Sequence, residues 1–363
     1  MITGLRAYAI RVPLIEEFRI ALGASVYYEG VIVEVSTDEG IVGYGEGVPS
    51  RRITGETTDS ILSLISRFRR MLVGKDPLNY VELLERIDRA VLGNPAAKAA
   101  IDIAIFDIVA KKYGVPLRTF LGGGPNSFET SVTIGIMDKE TAVRKATRLV
   151  EDGVTILKIK IGLNPTEDIE RVVAIRKAVG DDIRIRIDAN QGYTVKQAIR
   201  VLRALENVDI EYCEQPVHWR DLSGMREVRR KTEIPIMADE SVHGPRDALE
   251  VIKLDAADMI NIKLMKSGGI LGAIKIAHIC EAAGVECQIG CMSETRIAIS
   301  AGLHLAVSLD IIKYSDLDGY LFLSDSVANG LSFEKSKNKI SDGCGLGINV
   351  DKKKLEKYLI TKI

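Results

Sequence analysis

Lys158 and Lys160 end an apolar run that begins at Val154, and this spacing is the most informative feature of the sequence. Side chains on a β-strand alternate between its two faces, so residues i and i+2 point the same way. Two ammonium groups on the inner face of a buried strand are costly unless another group uses or neutralises them. An exposed edge strand with charged side chains is the alternative. The other predicted strands are needed to distinguish a buried strand with functional lysines from an exposed edge strand.

Charged residues also end the next four apolar runs. The last inward positions are, in chain order, Asp188, Glu214, Asp239 and Lys263. In a barrel of parallel strands such positions meet on one face, where these enzymes hold their active sites. Thr133 on the first run could add a hydroxyl there, although a β-branched residue filling a strand explains it equally simply.

The three carboxylates predict a metal site. Oxygen ligands without histidine or cysteine favour a hard cation, most simply Mg²⁺. Taken singly, an acid after a strand is often a helix cap, and Asn190 shortly after Asp188 could serve that purpose as well. Glu214 is a poor cap residue. Three acids on consecutive strands, with lysines on both sides, favour the metal.

A metal at this site would give the lysines a role in catalysis. A carboxylate held on a cation becomes a better carbon acid, because the enediolate formed on deprotonation is stabilised. A lysine near other cationic groups has a lowered pKa and can act as a base. Lys160 and Lys263 would face each other across the barrel, one on each face of a substrate α-carbon, which suits 1,1-proton transfer. A surface lysine with an extended stem is the alternative for Lys263.

The elements that position these residues change character along the chain. Residues 2–14, 29–37 and 41–46 are predicted strands, and helical patterns follow near 56–72, 77–91 and 94–112. A Gly-Gly-Gly-Pro sequence at 122–125 then marks a boundary. The first part is therefore predicted to be a separate α+β unit.

From Thr130 onward, eight short apolar runs recur about every 25 residues, with helical stretches between them. The runs lie near 130–136, 154–161, 183–188, 209–214, 234–239, 258–264, 285–290 and 310–315. The helical stretches include Lys139–Glu151, Thr166–Val179, Thr194–Leu205, Arg246–Lys253 and Gly269–Ala283. This pattern predicts a (β/α) barrel. An open doubly wound sheet is the competing fold, but its GxGxxG fingerprint is absent.

Composition restricts the class of protein. The chain has 363 residues, of which 46% are hydrophobic and 27% charged, and its net charge is −1. No global charge favours nucleic acid, and no stretch is long enough to predict a membrane span. The five cysteines form no CxxC pair, so we expect reduced thiols and a cytoplasmic protein.

At this point the sequence resembles the enolase superfamily, muconate-lactonizing subgroup. The motifs that carry the resemblance are Lys158-Ile159-Lys160, Asp188-Ala189-Asn190, Cys213-Glu214-Gln215-Pro216, Ala238-Asp239-Glu240-Ser241 and the segment from Asn261 to Gly269. The likeness extends to Ile53-Thr54-Gly55-Glu56-Thr57 in the N-terminal part. The mandelate-racemase subgroup fits less well, because no histidine ends the seventh strand.

The resemblance implies a modified TIM barrel, (β/α)7β, with an α+β capping domain formed by the N-terminal segment and the C-terminal tail. The expected parts are 1–125 for the cap, 126–321 for the barrel and 322–363 for a segment returning to the cap. It also implies one Mg²⁺ per subunit on Asp188, Glu214 and Asp239, and acid/base roles for Lys160 and Lys263. Lys158 would lie near the substrate carboxylate as an electrostatic helper.

Asp316 and Asp318 narrow the expected reaction. Ser315-Asp316-Leu317-Asp318-Gly319 resembles the Asp-x-Asp of dipeptide epimerases, where the two acids hold the α-ammonium of the substrate. Two carboxylates in a closed site favour a cation, although two solvated acids in a strand-end turn are the alternative. The prediction is a dipeptide epimerase acting on a small molecule with a free amine and carboxylate. N-acylamino-acid racemase, o-succinylbenzoate synthase and cycloisomerase share the same enediolate and stay as alternatives.

One position departs from the resemblance. Enzymes of the Ala-Glu type carry an arginine where this chain has Gly23, so the resemblance leaves the side-chain preference open. Arg19, Arg51 or Arg52 could supply a substitute charge. Residues 15–28 and 47–55 are expected to close over the substrate. Neither the pathway nor the oligomeric state follows from the sequence, and a homo-oligomer is one option.

Overall fold

The computed structural model describes residues 1–363 and begins with a long antiparallel hairpin. Its strands are β1 (Ile2–Ile20), β2 (Gly23–Thr37) and β3 (Val42–Gly47). β1 is longer than the predicted strand at 2–14, because it continues past an irregularity between Pro13 and Phe18 and pairs again with the start of β2. This extension forms an arm, residues 18–25, that projects from the sheet.

Four helices follow, and they pack against the hairpin sheet. They are α1 (Thr58–Leu72), α2 (Tyr80–Ala90), α3 (Pro95–Lys112) and the short α4 (Leu117–Phe120). In α1 the N-cap Thr57 accepts a hydrogen bond from Ser60 N, which satisfies a backbone donor that the first turn leaves free. Every residue of α3 from 96 to 110 is buried, so this helix lies at the centre of the molecule rather than on its surface.

The second part is a barrel of eight parallel strands. After a short strand β4 (Ser127–Glu129), the barrel strands are β5 (Val132–Ile134), β6 (Ile156–Lys160), β7 (Arg184–Asp188), β8 (Ile210–Glu214), β9 (Ile236–Ala238), β10 (Met259–Lys263), β11 (Glu286–Gly290) and β12 (Ile312–Asp316). They are neighbours in chain order from β5 to β12. The fold class predicted from the sequence, (β/α)7β with an N-terminal cap, is confirmed.

Helices connect successive barrel strands on the outside. They are α5 (Lys139–Glu151), α6 (Pro165–Val179), α7 (Val195–Leu205), α8 (Leu222–Lys231), α9 (Pro245–Lys253), α10 (Leu264–Ser267), α11 (Ile270–Ala283) and α12 (Arg296–Ser308). Three of these, α8, the one-turn α10 and α12, were not among the predicted helices. The apolar face of α8 is narrow, with only Gly224, Met225 and Val228 buried, and α12 is buried almost all round, so its sequence has no one-sided apolar pattern.

The C-terminal tail meets both parts. It contains β13 (Ala328–Asn329), β14 (Leu331–Glu334), β15 (Lys337–Ile340), β16 (Asn349–Val350), α13 (Lys352–Lys357) and β17 (Leu359–Lys362). β15 pairs with β4 beside the barrel, whereas β17 joins the edge of the cap sheet next to β1. We propose that the domain boundaries lie near 125 and 321, with this tail linking the two parts.

One apolar core of 96 buried residues extends through cap and barrel. Because the two parts share this core, they are packed rigidly enough for residues of the cap to serve a site on the barrel. None of the helices has the length and apolar character needed to cross a lipid bilayer.

Candidate active site

The charged residues predicted from the strand ends lie together at the carboxyl end of the barrel. The backbone register pairs Lys160 with Asp188, and Asp188 with Glu214, on adjacent strands. Asp239 follows β9 directly, and Lys263 is the last residue of β10. Because parallel strands end at the same edge, side chains distant in sequence meet here.

Lys158 is the most deeply enclosed of these groups. Its side chain is fully buried, and its Nζ lies 3.1 Å from Asp188 Oδ2, 2.7 Å from Glu214 Oε2 and 2.5 Å from Asp316 Oδ2. Burial alone would lower the pKa of Lys158, but the charges of Asp316, Glu214 and Asp188 outweigh it and raise the pKa. Lys158 is therefore a fixed positive charge among these acids.

Lys160 and Lys263 lie on opposite sides of the barrel, because three strands separate β6 from β10. Lys160 Nζ donates to Asp188 Oδ2 at 2.6 Å, and Lys263 Nζ donates to Asp239 Oδ2 at 2.6 Å. The sequence-based expectation of a lowered lysine pKa is not met at Lys263. Burial opposes its charge, but Asp239 and Glu214 outweigh burial and raise its pKa.

The three predicted metal ligands are fully buried. No set of three or more carboxylate, histidine or cysteine side chains converges as a ready-made metal site, because lysine ammonium groups lie among the acids. Burial, and then the charge of Asp188, raise the pKa of Glu214 to about 8. Against burial, Lys160 and Lys158 lower the pKa of Asp188 to about 2.

The cluster holds more acidic groups than the lysines neutralise: six buried carboxylates (Asp188, Glu214, Asp239, Glu240, Asp316 and Asp318) against four buried lysines (Lys158, Lys160, Lys263 and Lys266). The donors are oxygen atoms only, and a hard divalent cation is the species that such a set binds. The residues present therefore fit Mg²⁺. Asn261 Nδ2 donates to Glu214 Oε1 at 2.8 Å and holds that carboxylate in place.

Asp316 and Asp318 lie at the seam between β12 and β5. Ser131 Oγ donates to Asp316 Oδ1 at 3.1 Å, and Thr133 N donates to Asp318 Oδ2 at 2.7 Å. Burial and the neighbouring charge of Asp316 raise the pKa of Asp318 to about 7. Thr133 thus supports the acids through its backbone, and its Oγ1 lies 3.5 Å from Asp316 Oδ1. A bound ammonium would relieve the repulsion between the two acids.

Several polar side chains of this site received no role from the sequence, although Glu240 and Asn261 lie within the motifs named above. Asn261 and Gln288 lie inside the barrel, and Gln288 Nε2 is 3.4 Å from Glu214 Oε2. Glu240 follows Asp239 and accepts from Asn190 Nδ2 at 3.2 Å. Asn261, two residues before Lys263, could have been found by extending the i, i+2 rule from charged to uncharged polar residues.

Glu294 was also missed, because it lies four residues after β11 ends. It is 1% exposed, and its Oε1 accepts from Met292 N at 2.9 Å. Burial and the charge of Glu46 raise its pKa to about 8. A loop residue of this kind has no strand periodicity to mark it, so only the tertiary structure brings it near the site.

The cap covers the mouth of the barrel at two points. On the arm, Arg19 O accepts a hydrogen bond from Ile136 N at 2.8 Å, just after β5. On the loop after β3, Val48 N lies 3.3 Å from Met265 Sδ, just after β10. The two segments expected to close over a substrate therefore contact the ends of barrel strands on both sides of the charged cluster.

Comparison with known protein families matches both parts of the chain. Residues 5–122 match the N-terminal domain of the mandelate racemase / muconate lactonizing enzyme family. Residues 141–354 match the enolase C-terminal domain-like family. These matches agree with the division into a cap and a barrel that the sheets describe.

Three curated relatives align along nearly the whole chain. The hydrophobic dipeptide epimerase of Enterococcus faecalis is 45% identical over 344 residues, which are 94% of this chain and 97% of that protein. The L-Ala-D/L-Glu epimerase of Clostridium acetobutylicum is 42% identical over 343 residues, 93% of this chain and 96% of that protein. The N-succinyl-L-Arg/Lys racemase of Bacillus cereus is 39% identical over 362 residues, 99% of this chain and 98% of that protein.

Solved structures of two of these proteins superpose closely. The Enterococcus faecalis enzyme, complexed with Mg and the dipeptide L-Leu-L-Tyr, has a TM-score of 0.94 at 44% identity, covering 96% of this chain and 99% of that one. The Bacillus cereus racemase has a TM-score of 0.97 at 38% identity, covering 100% and 99%.

Proposed function

The chain belongs to the enolase superfamily, in the mandelate racemase / muconate lactonizing enzyme family, and from this premise we propose that it is a Mg²⁺-dependent dipeptide epimerase. It is an isomerase of amino-acid derivatives that inverts the α-carbon of the C-terminal residue. The observation that carries the substrate class is the pair Asp316 and Asp318, two buried acids beside the lysines, which suit the free ammonium of a dipeptide.

The reaction needs a proton to leave one face of the α-carbon and return to the other. Lys160 and Lys263 stand on opposite sides of the barrel, so each can serve one face, and their roles exchange with the direction of reaction. Asp188, Glu214 and Asp239 would hold Mg²⁺, which supplies positive charge to the substrate carboxylate and so favours loss of the α-proton. Lys158 adds a permanent positive charge nearby.

Deprotonation requires a neutral lysine, and the neighbouring acids currently favour the ammonium form of Lys263. Asp239 accepts its hydrogen bond at 2.6 Å. A cation bound by Asp239 would offset the charge of that carboxylate. The ammonium form of Lys263 would then be less stabilised, and the pKa of Lys263 would fall. Binding in the acid cluster and activation of the base are thus coupled.

A second candidate is racemisation of an N-succinylamino acid, since one relative is named for that activity. Such a substrate carries no α-ammonium for Asp316 and Asp318, because succinylation converts the α-amine to an amide. The two acids therefore favour the dipeptide, and the two candidates make opposite predictions for substrates with and without a free α-amine.

Hydrogen exchange distinguishes these candidates. The protein is incubated with Mg²⁺ in D₂O with pooled L,L-dipeptides, or separately with N-succinylamino acids, and mass spectrometry detects deuterium at the α-carbon. We expect exchange and inversion with dipeptides, and loss of both on chelation of the metal. Exchange with N-succinylamino acids but with no dipeptide would overturn the proposal.

The compartment is proposed from thiol chemistry. All five cysteines are free, and three of them are buried. Free thiols are typical of a reducing environment, so we propose a cytoplasmic enzyme.

A further inference from the structure

We infer that Arg52 selects dipeptides with an acidic side chain on the residue that is inverted; this inference rests on the proposed function. Its starting point is a cavity of about 490 Å³ between the cap and the barrel mouth. The arm contributes Phe18, Ile20 and Gly23, the loop after β3 contributes Arg51 and Arg52, and the barrel contributes Met292.

The acids of this cavity already have partners. Glu29 is bound by Arg11, whose Nη2 lies 2.8 Å from Glu29 Oε2. Glu56 accepts hydrogen bonds from the backbone N–H groups of Ala96 and Ala97, at 3.0 and 2.9 Å, at the start of α3. Both carboxylates are therefore already engaged within the protein, and neither is free to bind a cationic ligand.

Of the two guanidinium groups, that of Arg52 has no acidic neighbour, whereas the charge of Arg51 already helps to lower the pKa of Glu29. Neither Arg51 nor Arg52 forms a salt bridge, and both are exposed toward the cavity. Arg19, at the same mouth, is already paired with Glu17 at 2.8 Å. The unbalanced charge of the cavity is therefore positive, and a partly apolar cavity with an unpaired guanidinium suits a ligand that has an aliphatic stem and an anionic end.

The guanidinium of Arg52 lies directly beside Gly23 on the arm. A Cβ at Gly23 would lie 3.3 Å from Arg52 Nη1 and 3.6 Å from its Cζ. The guanidinium thus fills the space beside the arm that a side chain at position 23 would use. The positive charge beside the arm is therefore supplied by Arg52, on the loop after β3.

The loop that carries Arg52 is anchored on the barrel. Ser50 O accepts hydrogen bonds from Thr54 N and Gly55 N, both at 2.9 Å, which closes a compact turn. His243 Nε2 lies 3.1 Å from Ile53 O and ties this turn to the loop after β9. A guanidinium on an anchored turn loses less entropy on binding than one on a free loop, so it can contribute to specificity.

The geometry of the α-carbon assigns the cavity to the inverted residue. Its hydrogen must face a lysine, its carboxylate the acid cluster, and its nitrogen the acids that hold the N-terminal residue. The remaining substituent is the side chain, which points away from the barrel and toward the cap. The arm lies close to the barrel end of Lys160, because a Cβ at Gly162, two residues after Lys160, would lie 3.0 Å from Ala21 Cβ.

The experiment compares substrates that differ in one charge. Steady-state rates are measured for L-Ala-L-Glu, the isosteric L-Ala-L-Gln, L-Ala-L-Leu and L-Ala-L-Lys, with N-succinyl-L-Glu as a substrate that has no amine. We expect kcat/KM for L-Ala-L-Glu to exceed that for L-Ala-L-Gln by about tenfold or more, the size of one charge-assisted hydrogen bond.

Variants test the residue itself. Arg52→Met should remove the preference for Glu over Gln while changing kcat/KM for L-Ala-L-Gln less than about threefold. Arg52→Glu should move the preference toward L-Ala-L-Lys. Arg19→Met is the matched control, because this arginine is exposed and already paired, and it should leave the ratio unchanged.

Different results would contradict the role of Arg52 and the proposed function. Equal rates with L-Ala-L-Glu and L-Ala-L-Gln, or an unchanged ratio in Arg52→Met, overturn the role of Arg52 and leave the epimerase intact. Absence of α-hydrogen exchange with every dipeptide overturns the proposed function and this inference together.

Discussion

Lys158 and Lys160 share one face of β6, yet their surroundings differ. Lys158 lies among three carboxylates and is fully buried, whereas Lys160 contacts Asp188 and keeps 7% of its surface exposed. A base must reach the substrate, and a buried ion triply paired with acids cannot easily release its proton. These surroundings support the proposal that Lys158 acts electrostatically and that Lys160 transfers the proton.

The two-base scheme predicts an asymmetric loss in Lys263→Ala. Epimerisation should fall by about a thousandfold, because one face of the α-carbon loses its acid/base group. Exchange of the α-hydrogen with D₂O should persist for the one substrate epimer whose α-hydrogen faces Lys160, as measured by NMR. Lys275→Ala, at an exposed lysine of α11, is the control. Near wild-type epimerisation in Lys263→Ala would refute the scheme.

Asp316→Asn tests the ammonium site. Replacing the carboxylate with an amide removes a charge-assisted hydrogen bond, so KM for free-amine dipeptides should rise by about 10- to 100-fold. An N-acetylated dipeptide, which has no ammonium, should be affected much less. The comparison is made by steady-state kinetics on both substrates. An equal loss for both would mean that Asp316 acts only by holding Lys158, to which it lies 2.5 Å away.

At the scale of elements, the cap sheet packs closely against α3 because three residues of β3 are glycines. Gly43, Gly45 and Gly47 alternate along β3 and face the helix. A Cβ at Gly45 would lie 2.0 Å from Ala100 O, and one at Gly43 would lie 2.2 Å from Ala104 O. The backbones of β3 and α3 therefore approach more closely than any larger residue allows.

Gly45→Ala should destabilise the protein by about 1–3 kcal/mol, since the added methyl meets backbone that can yield only if strand and helix separate. Gly4→Ala, on β1, is the matched control, because no atom lies within 4 Å of the added Cβ. Urea unfolding followed by circular dichroism measures both. Equal stability of the two variants would contradict this account of the packing.

The sequence predicted most elements, and the exceptions have physical causes. Lys139–Glu151 was predicted with the bounds that the structure has, because its buried residues lie on one side. α12 was not predicted, because it is buried on nearly all sides and has no amphipathic period. The second half of β1 was not predicted either, since its pairing depends on contacts made beyond an irregularity at Pro13.

At the scale of the whole molecule, carboxylates of the cap bind the starts of barrel helices. Asp102 on α3 accepts hydrogen bonds from Ile270 N and Leu271 N, at 2.5 and 3.2 Å, at the start of α11. Glu46 accepts from Thr295 N and Ala298 N, at 2.8 and 3.0 Å, at the start of α12. The cap is thus held to the barrel by ionisable groups as well as by apolar packing.

Asp102 gives stability a predictable pH dependence. Burial raises its pKa from 3.8 to about 7. Between about pH 4 and pH 7, Asp102 therefore carries a proton in the folded protein but not in the unfolded chain. Stability from this group therefore increases as pH falls from about 7 toward 4 and is lost as pH rises through 7. Asp102→Asn should remove this component.

The measurement is the difference in unfolding free energy between wild type and Asp102→Asn at pH 8 and pH 5. From pH 8 to pH 5, the unfolding free energy of wild type should increase by about 2 kcal/mol more than that of Asp102→Asn. Asp138→Asn is the control, because a hydrogen bond from Thr141 N lowers the pKa of that exposed acid, and its effect should be flat between pH 5 and 8. A flat difference for Asp102→Asn would rule out the linkage.

The sequence by itself determined which residues could meet at one end of the barrel. Strand alternation put Lys158 and Lys160 on one face, and the repeat of strands and helices put Asp188, Glu214 and Asp239 at adjacent strand ends. Both inferences depend on local periodicity, which the order of residues contains directly.

Only the tertiary structure decided what each group contacts. Lys158 meets Asp316, 158 residues later in the chain, because the last barrel strand returns to the side of the first, next to β6. Arg52 lies beside Gly23 because a loop and a hairpin arm are both anchored on the barrel. Such contacts join segments with no common period, and they form only when the barrel and its cap close around one shared core.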